Sequence, residues 1–285
     1  MPRLIPCFES KLPTLEPPVS LGPANAARMA KLAWSIADPS GVYAEPAQRV
    51  PCLDCSTSTR TEVNRMPSPA VNHPIFAQIY VWLSHRMEPE LAAHRRSLLA
   101  GLRGQVLELG AGNGLNFAHY PVEVTRVLAV EPEPHLRALA ISLAAKASVP
   151  VDVVDGIADR LPAGESSVDA AVTSLVLCSV PDQASALAEI RRVLRPGGQL
   201  RFLEHVRASS AALRCAQRLL DATIWPGIAG GCHTHRDTAA AIRQAGFTIE
   251  HLNPLCFPDL RLSTPTSPHI LGVASLPAQS GDRTR

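Results

Sequence analysis

Two acids and a run of glycines are the residues most able to do chemistry in this chain. The apolar run Val106-Leu107-Glu108-Leu109 ends at Gly110-Ala111-Gly112-Asn113-Gly114, and a second run, Val127-Leu128-Ala129-Val130, ends at Glu131. Glycines at such a turn let the backbone pass close under a ligand. An acid at the tip of the next strand accepts hydrogen bonds from ribose hydroxyls. Glu131 stands 21 positions after Gly110, near the spacing of about 20 that this geometry needs. The pattern is that of an adenosine site. Dinucleotide oxidoreductases share much of it, but here it reads G-x-G-x-G, and Leu115 occupies the place of their third glycine. Glu108, two places before Gly110, would repel a pyrophosphate and suits a cationic ligand carrying an amino group.

Such a site needs a doubly wound frame, and the rest of the chain supplies one. Apolar runs predict strands over 105–109, 126–130 and 151–154, with helices from about Leu115 and over 134–146. The nearly continuous apolar run 168–180 reads as a strand buried on both faces. A helix capped by Asp182 follows and stops at Leu194-Arg195-Pro196-Gly197-Gly198. The fifth strand is 199–205. A long link over 207–231 leads to a helix over 234–245 and to strands 247–252 and 269–274. The expected fold is α/β: a Rossmann-like seven-stranded sheet with helices on both faces and a C-terminal antiparallel strand pair. Upstream, 75–102 predicts one or two helices, whose Tyr80, Trp82 and Leu83 either cover the ligand mouth or pack as core.

Over residues 72–276 these motifs resemble the class I S-adenosylmethionine-dependent methyltransferases. "LVLCSV", "LRPGG", "LEHV" and "GGCHTHRDT…AIRQAGF" resemble the branch containing the thiol methyltransferases. The resemblance implies S-adenosylmethionine as cofactor. Glu108, Gly110, Ala111, Gly112 and Asn116 would serve its methionine part, Glu131 the ribose, Pro132, Ile157 and Ala158 the adenine, and Ser174 the methyl side. Many family members carry an acid where Ile157 stands, and Asp159 is close by. The N-P-P-Y type motif of enzymes that methylate exocyclic amines is absent at Ser174-Leu175. The acceptor is then a small molecule, first a lipophilic thiol, with a quinone-precursor carbon, a phenol or a phospholipid amine still open. His205 and His233 are the catalytic candidates. Each is either a base for an incoming thiol or a ring satisfied by backbone, and the sequence leaves both open. A nicotinamide oxidoreductase is opposed by Glu108 and Leu115. A binding-only subunit is opposed by the acceptor-like segment 207–235.

Composition narrows the setting. The net charge is +2 with 18% charged residues, and no basic block points to nucleic acid. Arg191, Arg192 and Arg195 fall at a predicted helix end, where the dipole favours cations. No apolar stretch is long enough to span a membrane, which leaves peripheral membrane contact open. The seven cysteines are odd in number and irregular in spacing, which predicts free thiols and a cytoplasmic setting. Cys52 and Cys55 form a C-x-x-C without a second pair, and Cys232, His233 and His235 are too adjacent for a preformed site, so no metal is assigned. Residues 1–70 hold 11 of the 26 prolines and read as largely disordered. Either Met66 is then the true start, or the residues before it are a genuine regulatory or targeting arm. The domain proper is 71–276, and 277–285 is a polar tail.

Overall fold

The computed structural model describes residues 74–258 and 263–278. The expectations for the N-terminal extension, for Cys52 and Cys55, and for most of the polar tail lie outside the described residues. The elements in chain order are α1 (Pro74–Leu99), β1 (Gly104–Leu109), β2 (Val124–Val130), α2 (Pro134–Ala144), β3 (Val151–Val154), β4 (Val168–Ser174), α3 (Gln183–Val193), β5 (Leu194–His205), α4 (Ala211–Asp221), α5 (Trp225–Ile228), α6 (Thr238–Gln244), β6 (Thr248–Cys256) and β7 (Pro268–Ser275).

The seven strands form one sheet in the order β3-β2-β1-β4-β5-β7-β6. The first five run parallel, and β7 pairs antiparallel with both β5 and β6. Alternate side chains of each strand face opposite sides, so the sheet divides two apolar cores. Leu107, Ala171, Phe202 and Leu200 pack with Leu187, Ile190 and Ile242 of α3 and α6. Val106, Ala170, Val172 and Leu203 pack with Leu91, Leu98 and Ala140 of α1 and α2. The expected frame is thus present, with helices on both faces.

Three local expectations are corrected. No α-helix follows the glycine turn. A single 3-10 turn, Phe117–His119, stands there, and Tyr120 is extended at ψ 130°, the conformation that Pro121 imposes on its predecessor. The apolar run 168–180 is strand only to Ser174. Leu175 then adopts φ +61°, a left-handed backbone that costs a branched residue about 1–2 kcal/mol. Third, α3 ends at Val193, and Pro196-Gly197-Gly198 lie within β5 rather than in a loop. Arg192 pairs with Glu189 at 2.7 Å on α3 as a last-turn cation, whereas Arg195 belongs to β5 and pairs with Asp169 of β4. Cys178, Cys215 and Cys232 are free thiols, but Cys256 is disulfide-bonded, against the expectation for it.

Candidate active site

The carboxyl ends of β1, β2 and β4 open into a cavity of about 440 Å³, within the range of small-molecule sites. Its floor is the glycine turn. Gly110 has φ +66° and Gly112 φ +57°, and a Cβ on Gly112 would lie 2.8 Å from the Tyr80 hydroxyl. The turn is fixed from below: Gly110 N and Ala111 N both donate to Val130 O, at 2.8 and 3.1 Å. Glu131, at the end of β2, accepts from Gly112 N at 2.7 Å and from Glu133 N at 2.9 Å. Each carboxylate oxygen keeps a second lone pair, so the group remains able to accept two ribose hydroxyls. Burial pushes its pKa up to about 6, while the two backbone N–H bonds hold it down.

Pro132, Ile157, Ala158 and Asp159 line one end of this cavity, and Ser174, Leu175 and Val176 line the middle. Phe76 and Tyr80 of α1 close it from above, and Gly230 and Gly231 border it beyond α5. The cradle fits an adenosyl group: an apolar slot beside an acid, next to a turn that tolerates no side chain. Of the residues expected to hold the cofactor, Gly110, Gly112, Glu131, Pro132, Ile157, Ala158 and Ser174 stand on the lining.

Glu108, Ala111 and Asn116 do not. Glu108 is turned into the core, where it accepts from Asn116 Nδ2 at 2.7 Å and from Tyr120 OH at 2.8 Å. Asn116 in turn accepts from Arg95 Nη1 at 2.8 Å. This buried network props the glycine turn instead of lining the cavity. Burial raises the Glu108 pKa to about 7, against the hydrogen bonds of Tyr120 and Asn116 and the charge of Arg95. Ala111 packs into the core beneath α1.

The acceptor side differs more from expectation. Trp82 and Leu83 are exposed, and of the three residues singled out on this helix only Tyr80 reaches the cavity. The link 207–231 is folded into α4 and α5, and its Leu219 and Ile224 face solvent. It is pinned instead by polar groups. Gln217, fully buried, turns its Nε2 to Val206 O, Thr234 O and Pro265 O, three carbonyls that share its two hydrogens, and accepts at Oε1 from Ala208 N. Asp221 accepts from Thr234 N and His235 N, both at 2.9 Å.

Neither catalytic candidate lines the cavity. His233 holds its Nδ1 2.8 Å from Gly231 O and 3.5 Å from Arg236 Nη2, so in a neutral ring the bond to the carbonyl would leave the lone pair on Nε2. His205 places its Nδ1 3.4 Å from Cys232 Sγ and 3.8 Å from Cys178 Sγ. The two sulfurs are 3.7 Å apart. Cys232 is the sulfur of the pair that ionises first, because Cys178, His205 and the Trp225 N–H all face it. Cys232 therefore joins Cys178 and His205, not His233 and His235.

Sequence reading missed Glu204. Fully buried beside His205, it accepts from the backbone N–H groups of Val176, Leu177 and Cys178 at 3.1–3.2 Å. It holds the strained turn at Leu175 against the cavity. The one signal was an acid inside the apolar strand Leu200-Arg201-Phe202-Leu203-Glu204.

A methyltransferase-domain family model matches residues 107–202. The thiol S-methyltransferase TMT1B of Mus musculus is 36% identical over 210 residues, covering 70% of this chain and 85% of the relative. The chain belongs to the S-adenosylmethionine-dependent methyltransferases, in the family of this relative. The thiol S-methyltransferase TMT1A of Homo sapiens is 33% identical over 201 residues, covering 65% of the chain and 79% of its own length. Among solved structures, a chain from the complex of the Haloferax volcanii Trm112 methyltransferase activator with a methyltransferase shares the fold. Its TM-score is 0.55 at 19% identity, covering 73% of this chain and 99% of that one. The methyltransferase uses S-adenosylmethionine, which sets aside the nicotinamide and binding-only readings. Among the described residues, no helix is long and apolar enough to cross a membrane.

Proposed function

We propose that this methyltransferase methylates a lipophilic thiol. The observation that carries the reading is the likeness to relatives named thiol S-methyltransferases, over 70% of this chain and 85% of the relative for TMT1B of Mus musculus. The cavity supports it: beyond the cradle its walls include Phe76, Val176, Val180 and the backbone of Gly230 and Gly231, and although Ser179 and Asp182 also stand there, no cationic side chain among the described residues of the lining can pair with the carboxylates of a peptide-like thiol. Exposed Ile79, Trp82 and Leu83 on the helix that carries Tyr80 give an apolar acceptor a path to the mouth, and give the protein a means of peripheral contact with lipid. Free thiols at Cys178, Cys215 and Cys232 favour a cytoplasmic setting.

The bound cofactor supplies an electrophilic methyl group on a sulfonium. The protein's share is positional, since orientation of two reactants is worth effective molarities of roughly 10⁵ M or more. In this reading Glu131 fixes the ribose, Ile157, Ala158 and Asp159 hold the adenine, and Gly110 and Gly112 let the chain pass beneath. Ser174 and the turn at Leu175 set the distance to the acceptor. Tyr80 and Phe76 exclude water. A thiol of pKa about 8.5 is a few per cent ionised at neutral pH, so a modest base suffices. His233 stands outside the lining but two residues beyond Gly231, which lines it, and is the residue proposed to take the proton through a bridging water.

The test is a screen of alkyl and aryl thiols, glutathione, phenols, quinone precursors and amines with labelled S-adenosylmethionine. Turnover of lipophilic thiols above all others is expected. Methylation of phenols or quinone precursors with no thiol turned over would overturn the acceptor.

A further inference from the structure

Behind the acceptor wall lies a cluster that the methyl-transfer scheme does not use. We infer that Cys178 Sγ, His205 Nδ1 and Cys232 Sγ form a binding site for one zinc-like divalent ion, with one coordination position left for an exogenous ligand. The three donor atoms lie within 4.8 Å of one another. Zinc bonds thiolate at about 2.3 Å and imidazole at about 2.0–2.1 Å in a tetrahedron. Those bonds place the donors about 3.8 Å apart for sulfur to sulfur and about 3.6 Å for sulfur to nitrogen. The structure has 3.7 Å between the sulfurs, and 3.4 and 3.8 Å from them to the nitrogen. An ion fits between them with only small side-chain adjustment.

Packed thiols also sit at such distances, so the surroundings matter. Each donor is anchored from a different part of the chain. Cys178 N donates to Glu204, and Cys178 O accepts from His233 N at 2.8 Å. Cys232 follows the α5 turn, where its N donates to Ala229 O at 3.1 Å. His205 ends β5, and its ring packs against His269 at a tilt of 36°, with centroids 4.1 Å apart. Both cysteines are buried. Donors aimed at the sulfurs form the outer layer that tunes metal thiolates. The Ser179 hydroxyl is 3.5 Å from Cys178 Sγ. Trp225 Nε1 is buried, makes no ordinary hydrogen bond, and faces Cys232.

Soft thiolate ligands with one imidazole select zinc over magnesium or calcium. Among the described residues the ligands are two thiolates and one histidine, which is the set of a zinc site open to an outside ligand rather than of a closed structural one. Ser179 and Gly231, each next in sequence to a cysteine of the trio, line the cavity. A bound ion would therefore tie together the two segments that border the acceptor. None of this depends on which acceptor the enzyme takes.

The test uses the full chain in a background of Cys7→Ser, Cys52→Ser, Cys55→Ser and Cys256→Ser, so that no cysteine outside the trio except the exposed Cys215 contributes. One equivalent of zinc should survive dialysis, and cobalt in its place should show thiolate-to-metal charge-transfer absorption with a tetrahedral spectrum. Cys178→Ser, Cys232→Ser and His205→Gln should each weaken zinc binding by more than the roughly 10–100-fold that loss of an outer-layer residue costs. If those variants do not fold, the cobalt spectrum of the background chain decides alone. Substoichiometric zinc without charge-transfer absorption overturns the site. So does recovery of Cys178 and Cys232 as a disulfide that, once reduced, still takes up no metal.

Discussion

Glu131 and His233 each make a sharp prediction. Ribose hydroxyls donate to the Glu131 carboxylate and so favour its charged form. Cofactor binding should release a proton, and affinity should rise with pH up to about 6 and level off above it. Glu131→Gln should cost roughly 1.5–3 kcal/mol of binding and flatten that dependence. Isothermal titration between pH 5 and 8 measures both, and a Glu131→Gln variant with unchanged affinity and slope would remove the ribose contact. For His233, replacement by Ala should lower thiol turnover by about 10²-fold near neutral pH. The loss should shrink above the thiol's own pKa, because a free thiolate needs no base. A loss that is the same at every pH makes His233 structural. The residues legible in the sequence were those of local motifs: Gly110, Gly112, Glu131, Ile157 and Ala158 all lie at strand ends, where the parallel crossover rule puts a ligand. Cys178, His205 and Cys232 were not legible as a group. They are separated by 27 residues at each step, and only the crossover from β4 to β5 and the α4–α5 excursion bring them together.

Among the elements, α1 shows how one helix divides its labour. Tyr80 lies over Gly112, while Trp82 is 65% exposed. Tyr80→Ala should open the mouth and weaken S-adenosylmethionine binding by about 1 kcal/mol or more, the lost aromatic contact. Trp82→Ala should leave cofactor affinity within about 0.5 kcal/mol of the parent, though it should raise the KM of lipophilic thiols if the exposed face guides them. Equal effects of the two on cofactor affinity would mean that the helix faces are misassigned. The sequence could not separate these faces, because apolar residues occur nearly all round the helix, and periodicity then gives no direction. The missing helix after the glycine turn has a similar origin. Leu115-Asn116-Phe117-Ala118 is a plausible first turn, but Pro121 comes too soon for a second, and burying Asn116 against Glu108 and Arg95 fixes the shorter path.

At the scale of the molecule, the buried acids couple stability to pH. Glu108 and Glu131 titrate near 7 and 6 when folded, and near 4.3 in an unfolded chain. Between those values the folded state binds more protons. The contribution of each acid is therefore complete below about pH 4.3 and is lost as pH rises through its folded value. Glu108→Gln isolates one of them. The stability of the parent relative to this variant should fall between pH 5 and 8 by an amount on the order of 2–3 kcal/mol, read from denaturant melts at each pH. A difference that stays constant across that range would mean that Glu108 is not held protonated by its burial.

The place of β7 between β5 and β6 also fixes an order of events at birth. Positions Gln199 to Leu203 pair on one side with β4, and Gln199 to His205 pair on the other with β7. Roughly 70 residues separate these partners along the chain. At about 5–20 residues per second, a nascent chain holds the outer edge of β5 open for several seconds before its partner is made. An unpaired, apolar edge of that length is a template for pairing with a neighbour. A chain halted before Pro268 should therefore aggregate during synthesis, although both nucleotide-binding strands and all the parallel pairings are already encoded in it.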